Sequence, residues 1–123
     1  MYRRRGWHGR GGRIERFQVA ALLLLLRERK SHGYDLLERL PALTGDERID
    51  VGNLYRALRA LEEQGFVSSE WDDSVPGPAK RTYELTDAGG EALERWAVSL
   101  ADTRARIDTF LQRHEKGGDH APP

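Results

Sequence analysis

The chain has 123 residues and pairs 20 lysines and arginines with 20 aspartates and glutamates, for a formal net charge of zero. That length suits one compact domain with an extra helix and is too short for two independent cores. With no cysteine present, a thiolate nucleophile, a structural disulfide and a cysteine-ligated metal are all excluded, and His8, His32, His114 and His120 show no metal-ligand spacing, so no cofactor is expected.

The neutral sum hides an asymmetry. Residues 1–16 carry six arginines against Glu15 alone, which is +5, and the other 107 residues hold 14 basic and 19 acidic groups, which is −5. A basic leader on an acidic body suits phosphate contact, and it equally suits a solubilising tail. The stretch "MYRRRGWHGRGGR", residues 1–13, has almost no aliphatic side chains and predicts a disordered tail.

A helix is predicted from Ile14 or Arg16 to about Lys30. Its run "FQVAALLLLL" is about half the length that a membrane span needs, and no signal-type cleavage site follows it. A soluble, cytoplasmic protein with no membrane partner is the expectation. From Val19 to Leu26 the helix is apolar on every side, so every side needs cover. One small domain covers one side, and a second body is expected on the other.

In "SHGYDLLERLPAL", Ser31 is a candidate N-cap, and Tyr34, Leu36, Leu37 and Leu40 form an apolar face. Pro41 predicts that this helix makes its last turn at Leu40. Asp50 is the next N-cap candidate. After it Val51, Leu54, Leu58 and Leu61 form one stripe of 3.6-residue period, which Gly65 is placed to end. Val67, Ser69 and Trp71 then alternate with polar residues as in a half-buried strand. The Pro-Gly of "SVPGPA" suits a type II turn, and "KRTYELT" returns with Arg81, Tyr83 and Leu85 on one face.

Thr86 is placed to cap a last helix over residues 87–114, leaving residues 115–123 as a frayed tail. Leu93, Trp96, Leu100, Thr103, Ile107 and Phe110 recur at steps of three and four, the pattern of a seam against another helix. Gly89 and Gly90 weaken its first turn by roughly 1 kcal/mol each, which points to a close backbone approach or to fraying. The fold class that results is mainly α with a small β-hairpin. It is a winged helix-turn-helix over residues 14–86, followed by a C-terminal dimerisation helix.

In that fold the leucine stripe of residues 51–64 faces the core, and Ala57 and Ala60 let the preceding helix come close. Asn53, Arg56 and Arg59 take the free side, where they suit a major groove, because arginine pairs bidentately with guanine and asparagine with adenine. Tyr55 and the amides of Val51, Gly52 and Asn53 suit phosphates. Lys80 and Arg81 lie just past the wing tip. With Tyr34 on the preceding helix, these residues make up the candidate surface for double-stranded operator DNA. Another reading pairs Arg56 and Arg59 with Glu62 and Glu63 as a solvated face. Residues 50–85 hold four basic and seven acidic groups, which is the support for the alternative, a winged-helix module that binds protein instead of DNA. No nucleophile–base pair or phosphate-cradling glycine loop is present, and Asp72 and Asp73 sit on a wing strand open to water, so an enzyme is not expected.

At "HGYDLLERL", "GNLYRALRALEEQGFV" and "EWDDSVPGPAKRTYELTDAG" the chain resembles the PadR-like transcriptional regulators, over roughly residues 17–96. The resemblance implies a homodimeric winged-helix repressor whose first and last helices form the dimer interface. It also implies an effector, often planar and hydrophobic, that releases DNA. Many members carry proline at the positions of Val51 and Arg56, so base or phosphate reading at Arg56 departs from the commoner form. Trp96 is either a packing anchor or a plate for such an effector, in a pocket bounded by Leu22, Leu25, Leu93, Trp96 and Leu100, with Ile107 further along the interface.

Overall fold

The aliphatic run of the first helix becomes the centre of the core. In the computed structural model, which describes residues 9–45, 50–74, 77 and 80–119, this helix is α1 (Gly9–Glu28). Ala20 to Leu23, Leu25 and Leu26 are all buried, with α2 (Gly33–Thr44) and a strand of the sheet packed on the helix. The chain therefore covers most of this run itself, and the expected second body is not needed for it. Residues 9–13, expected in a disordered tail, are the first residues of α1, since adding a turn to an existing helix costs far less than starting one. Residues 1–8 lie outside the described residues.

Ser31 does not cap α2. It pairs with Tyr83, while His32 pairs with Thr82, forming the two-residue strand β1 (Ser31–His32). β2 (Val67–Asp72) and β3 (Lys80–Leu85) complete an antiparallel sheet in the order β1-β3-β2, one strand more than the predicted hairpin. Ser31 lies one residue before the cap position, and its buried hydroxyl donates to the Arg29 carbonyl at 3.1 Å and accepts from Arg39. His32 occupies the cap position without a side-chain cap.

Arg39 ties these pieces together. Its guanidinium donates to Ser31 Oγ at 2.9 Å, Asp35 Oδ2 at 3.0 Å, Glu28 Oε1 at 3.0 Å and the Leu25 carbonyl at 3.3 Å. Burial alone would raise the Asp35 carboxyl, but the adjacent Ser31 hydroxyl, the hydrogen bond from Arg39 and the charge of Arg29 hold it below its ordinary value.

Pro41 does not end α2, which continues to Thr44. Proline in a last turn forfeits one backbone bond. Here Gly45 closes the helix at φ 70°, its N–H donating to the Pro41 carbonyl at 2.8 Å.

α3 (Val51–Glu63) starts and stops as its sequence predicts. Asp50 accepts from the Gly52 amide at 2.9 Å. At the far end the Phe66 amide donates to Leu61 and the Gly65 amide to Glu62, with Gly65 at φ 84°. These paired bonds form a Schellman motif, which needs the left-handed residue that glycine supplies. Leu54, Leu58 and Leu61 are buried, whereas Val51 stays exposed because its side chain leans past the start of the helix.

β2 and β3 run in register from Val67↔Leu85 to Asp72↔Lys80. Val67 and Tyr83 face the core, but Trp71, on the same face near the wing, is 64% exposed. Gly77 has φ 110°, while Pro76 and the rest of the predicted type II turn lie outside the described residues.

α4 (Asp87–Asp119) is capped by Thr86, whose Oγ1 accepts from the Gly89 amide at 3.0 Å and donates to the Gly65 carbonyl at 2.7 Å. Close approach explains Gly89, since a methyl group there would overlap the Phe66 carbonyl. The chain divides after Leu93 into two compact units. The second is the remainder of α4, helical to Asp119 where a frayed tail was expected from residue 115. No helix among the described residues is long and apolar enough to cross a membrane.

Candidate nucleic-acid interface

α3 separates its residues by chemistry. Opposite the buried leucines, Asn53, Arg56 and Arg59 are exposed at steps of three. Arg56 donates to Asn53 Oδ1, and its guanidinium lies beside Gly52. Neither arginine forms an ion pair with Glu62 or Glu63 among the described residues. The expected alternative, a self-neutralised face, is not the arrangement found. Glu62 instead accepts from Ser69 Oγ at 2.7 Å.

On α3, Tyr55 packs against a glycine. Gly33, at the start of α2, is buried, and a methyl group there would overlap the Tyr55 ring. Tyr55 is thus seated on the first turn of α2 and remains 38% exposed. Tyr34, next to Gly33 in sequence, is 67% exposed. Beneath this surface, burial pushes the Tyr83 phenol above its ordinary value, with Arg81, Tyr55, Glu62 and Arg59 acting as the nearby charges.

The two basic wing residues differ. Lys80 is exposed at the end of β3. Arg81 is engaged within the fold: its Nε donates to Ser69 Oγ at 2.7 Å, and its guanidinium lies 5.0 Å from the Trp71 ring centre. Sequence reasoning treats the pair alike, because the inward direction of Arg81 depends on strand register.

The wing base carries a second cluster. Asp72 accepts from the Ser74 hydroxyl and from the Ser74 amide at 3.0 Å, and it lies 3.2 Å from His32 Nε2. The Ser74 hydroxyl, the Ser74 amide and His32, in that order, hold the Asp72 carboxyl down to about 2. From the sequence, Asp72 is only a water-exposed carboxylate.

The residues named for an effector site divide between the two units. Leu22, Leu25 and Leu93 are buried in the first. In the second, Trp96 and Leu100 are half-buried and Ile107 is 50% exposed.

A helix-turn-helix whose second helix presents amide and guanidinium groups, flanked by a three-stranded wing, defines a winged-helix protein of the transcriptional-regulator class. The sequence profile of the Transcriptional regulator PadR-like family matches residues 22–95, and the chain belongs to that family. The structure is similar to the crystal structure of TM0937, a conserved protein described as a potential transcriptional factor, with a TM-score of 0.71, 40% identity, and coverage of 81% of this chain and 89% of that one. It is similar to Bacillus subtilis PadR in complex with operator DNA, with a TM-score of 0.59 and 27% identity over 65% of this chain and 46% of that one. A probable transcriptional regulator of Mycobacterium tuberculosis is 33% identical over 86 residues, 68% of this chain and 46% of its own length.

Proposed function

We propose that the chain is a sequence-specific DNA-binding repressor that acts as a homodimer, with α3 in the major groove and the wing on the flanking backbone. The observation that carries this reading is the exposed row of Asn53, Arg56 and Arg59 opposite the buried leucine stripe. Guanidinium and amide groups in that position match the donor–acceptor pattern of the major groove. Tyr34, Tyr55 and the helix-start amides near Gly52 suit the adjacent phosphates, and Lys80 suits the wing side. The operator complex of Bacillus subtilis PadR supports the same use of the fold.

Dimerisation is supported by the second unit, where Val98, Ile107, Phe110 and Leu111 are all at least half exposed on one helix. A second copy is the occupant that gives an operator two half-sites. Trp96, half-buried on that helix, is the residue best suited to meet a planar hydrophobic effector. Quenching of its fluorescence by planar aromatics would support this, and no quenching across a panel would leave Trp96 a packing role.

The direct test is a gel shift with the duplex that the purified chain selects from a random pool. Arg56→Glu should abolish the shift while the circular dichroism spectrum and dimer mass stay unchanged; retained affinity would remove α3 from the groove. The arginines of the leader neutralise further phosphates in this reading. Deleting residues 1–8 should therefore flatten the salt dependence by about 0.9 of a slope unit for each phosphate that is no longer neutralised.

A further inference from the structure

We infer that Arg81 is a positioning residue: with Ser69, Glu62 and Trp71 it braces the wing against α3, and it acts on DNA binding through that brace without touching DNA. The inference rests on the DNA-binding reading above.

Three elements of the proposed interface meet at these four residues. Glu62 lies in the last turn of α3, Ser69 and Trp71 on β2, and Arg81 on β3. A serine hydroxyl offers one donor and two acceptor sites. Here its hydrogen goes to Glu62 Oε2 at 2.7 Å, and an acceptor site takes Arg81 Nε at 2.7 Å. Arg81 Nη2 stands 3.9 Å from the same Glu62 oxygen, so the hydroxyl bridges a weak ion pair.

Register explains why the arginine turns inward. Trp71 pairs with Arg81 and Ser69 with Tyr83, so all four lie on the face that carries buried Tyr83 and Val67. Lys80 alternates to the opposite face. The guanidinium lies over the exposed Trp71 ring, a cation–π contact that suits its flat shape. One of the five N–H groups of Arg81 is committed to the Ser69 hydroxyl and its flat face to the indole, and the weak ion pair with Glu62 turns its fork toward the end of α3. What Arg81 fixes is the angle at which the two wing strands leave the end of α3, and hence where Lys80 stands.

The test separates position from charge. The full-length chain binds the duplex selected by the wild type, across a salt series, beside Arg81→Ala, Arg81→Lys and Glu62→Gln. A brace predicts that Arg81→Ala weakens binding about tenfold with the salt slope unchanged. Arg81→Lys, which keeps the charge but not the planar fork, does not restore it. Glu62→Gln removes a negative charge near DNA and would tighten binding by electrostatics alone; the brace predicts that it weakens binding. Three results would overturn the inference. One is a slope reduced by about 0.9 in Arg81→Ala and restored by lysine, which is the signature of a phosphate contact. The others are tighter binding by Glu62→Gln and unchanged affinity in both the Arg81→Ala and Glu62→Gln variants. If the wild type selects no duplex, the DNA reading fails by itself. The brace is then read from amide exchange in β2 and β3, which should quicken in Arg81→Ala and Glu62→Gln, and unchanged exchange would sink it.

Discussion

α3 and the part of α4 beyond Leu93 use similar residues at similar spacing and end with opposite surfaces. In α3, Leu54, Leu58 and Leu61 are 3%, 0% and 3% exposed, and the side that remains is polar. In distal α4, Ile107, Phe110 and Leu111 stay 50%, 67% and 54% exposed. Periodicity marks an apolar face in both helices, but it does not say what covers that face. For α3, α2 and β2 lie against it. For distal α4, the homodimer reading assigns the cover to a second copy, where the same seam would become the inside of a helix pair. One helix is finished by its own chain, and in the homodimer reading the other is finished by a partner.

The largest expected effect breaks that comparison at its buried end. Leu58→Ala should lower the unfolding free energy by about 2–5 kcal/mol in urea titrations, because the side chain is fully enclosed and leaves a cavity. Phe110→Glu on the exposed seam should leave the circular dichroism spectrum intact and shift sedimentation from dimer to monomer. A Phe110→Glu chain that still sediments as a dimer would remove the seam from the interface. A smaller effect sharpens the account of how α3 is delimited. Asp50→Ala should cost about 1 kcal/mol through the cap to the Gly52 amide, with little change in the packing of Leu54.

The smallest effect concerns the wing base, which is held by exposed polar groups where α3 is held by buried apolar ones. Asp72 is held at about 2 against an ordinary 3.8, so its bonds to Ser74 and His32 stabilise the fold above pH 3.8. That contribution fades as pH falls from there toward 2. Carboxyl chemical shifts followed by NMR should show the low midpoint, and Ser74→Ala should move it upward. An ordinary midpoint in the wild type would contradict the cluster.

The features legible in the sequence are those written locally. Asp50, the leucine spacing and Gly65 delimit α3 because caps and stripes act within a turn or two. Gly89 also carries its signal, since paired glycines at a helix start point to close approach as one reading. β1 is not legible: Ser31 and His32 are too few to show a pattern, and their partners lie fifty residues on in β3. Pro41 misleads because the local rule ignores Gly45, which offers a better stop one turn later. The exposed row of Asn53, Arg56 and Arg59 follows from the leucine stripe by subtraction. The engagement of Arg81 does not, since it depends on how the end of α3 meets β2. Val51 and Trp71 fail for a related reason: each continues an apolar alternation past the point where neighbouring elements stop covering it.

The central claim is that the guanidinium row of α3 enters a major groove, where guanine N7 is an acceptor. Methylation interference on the selected duplex reads that contact directly. The account predicts that N7-methylation of one or more guanines in each half-site blocks binding by the wild type, and that Arg56→Ala loses this sensitivity at one of them. Binding that is indifferent to N7 methylation throughout the site would contradict it.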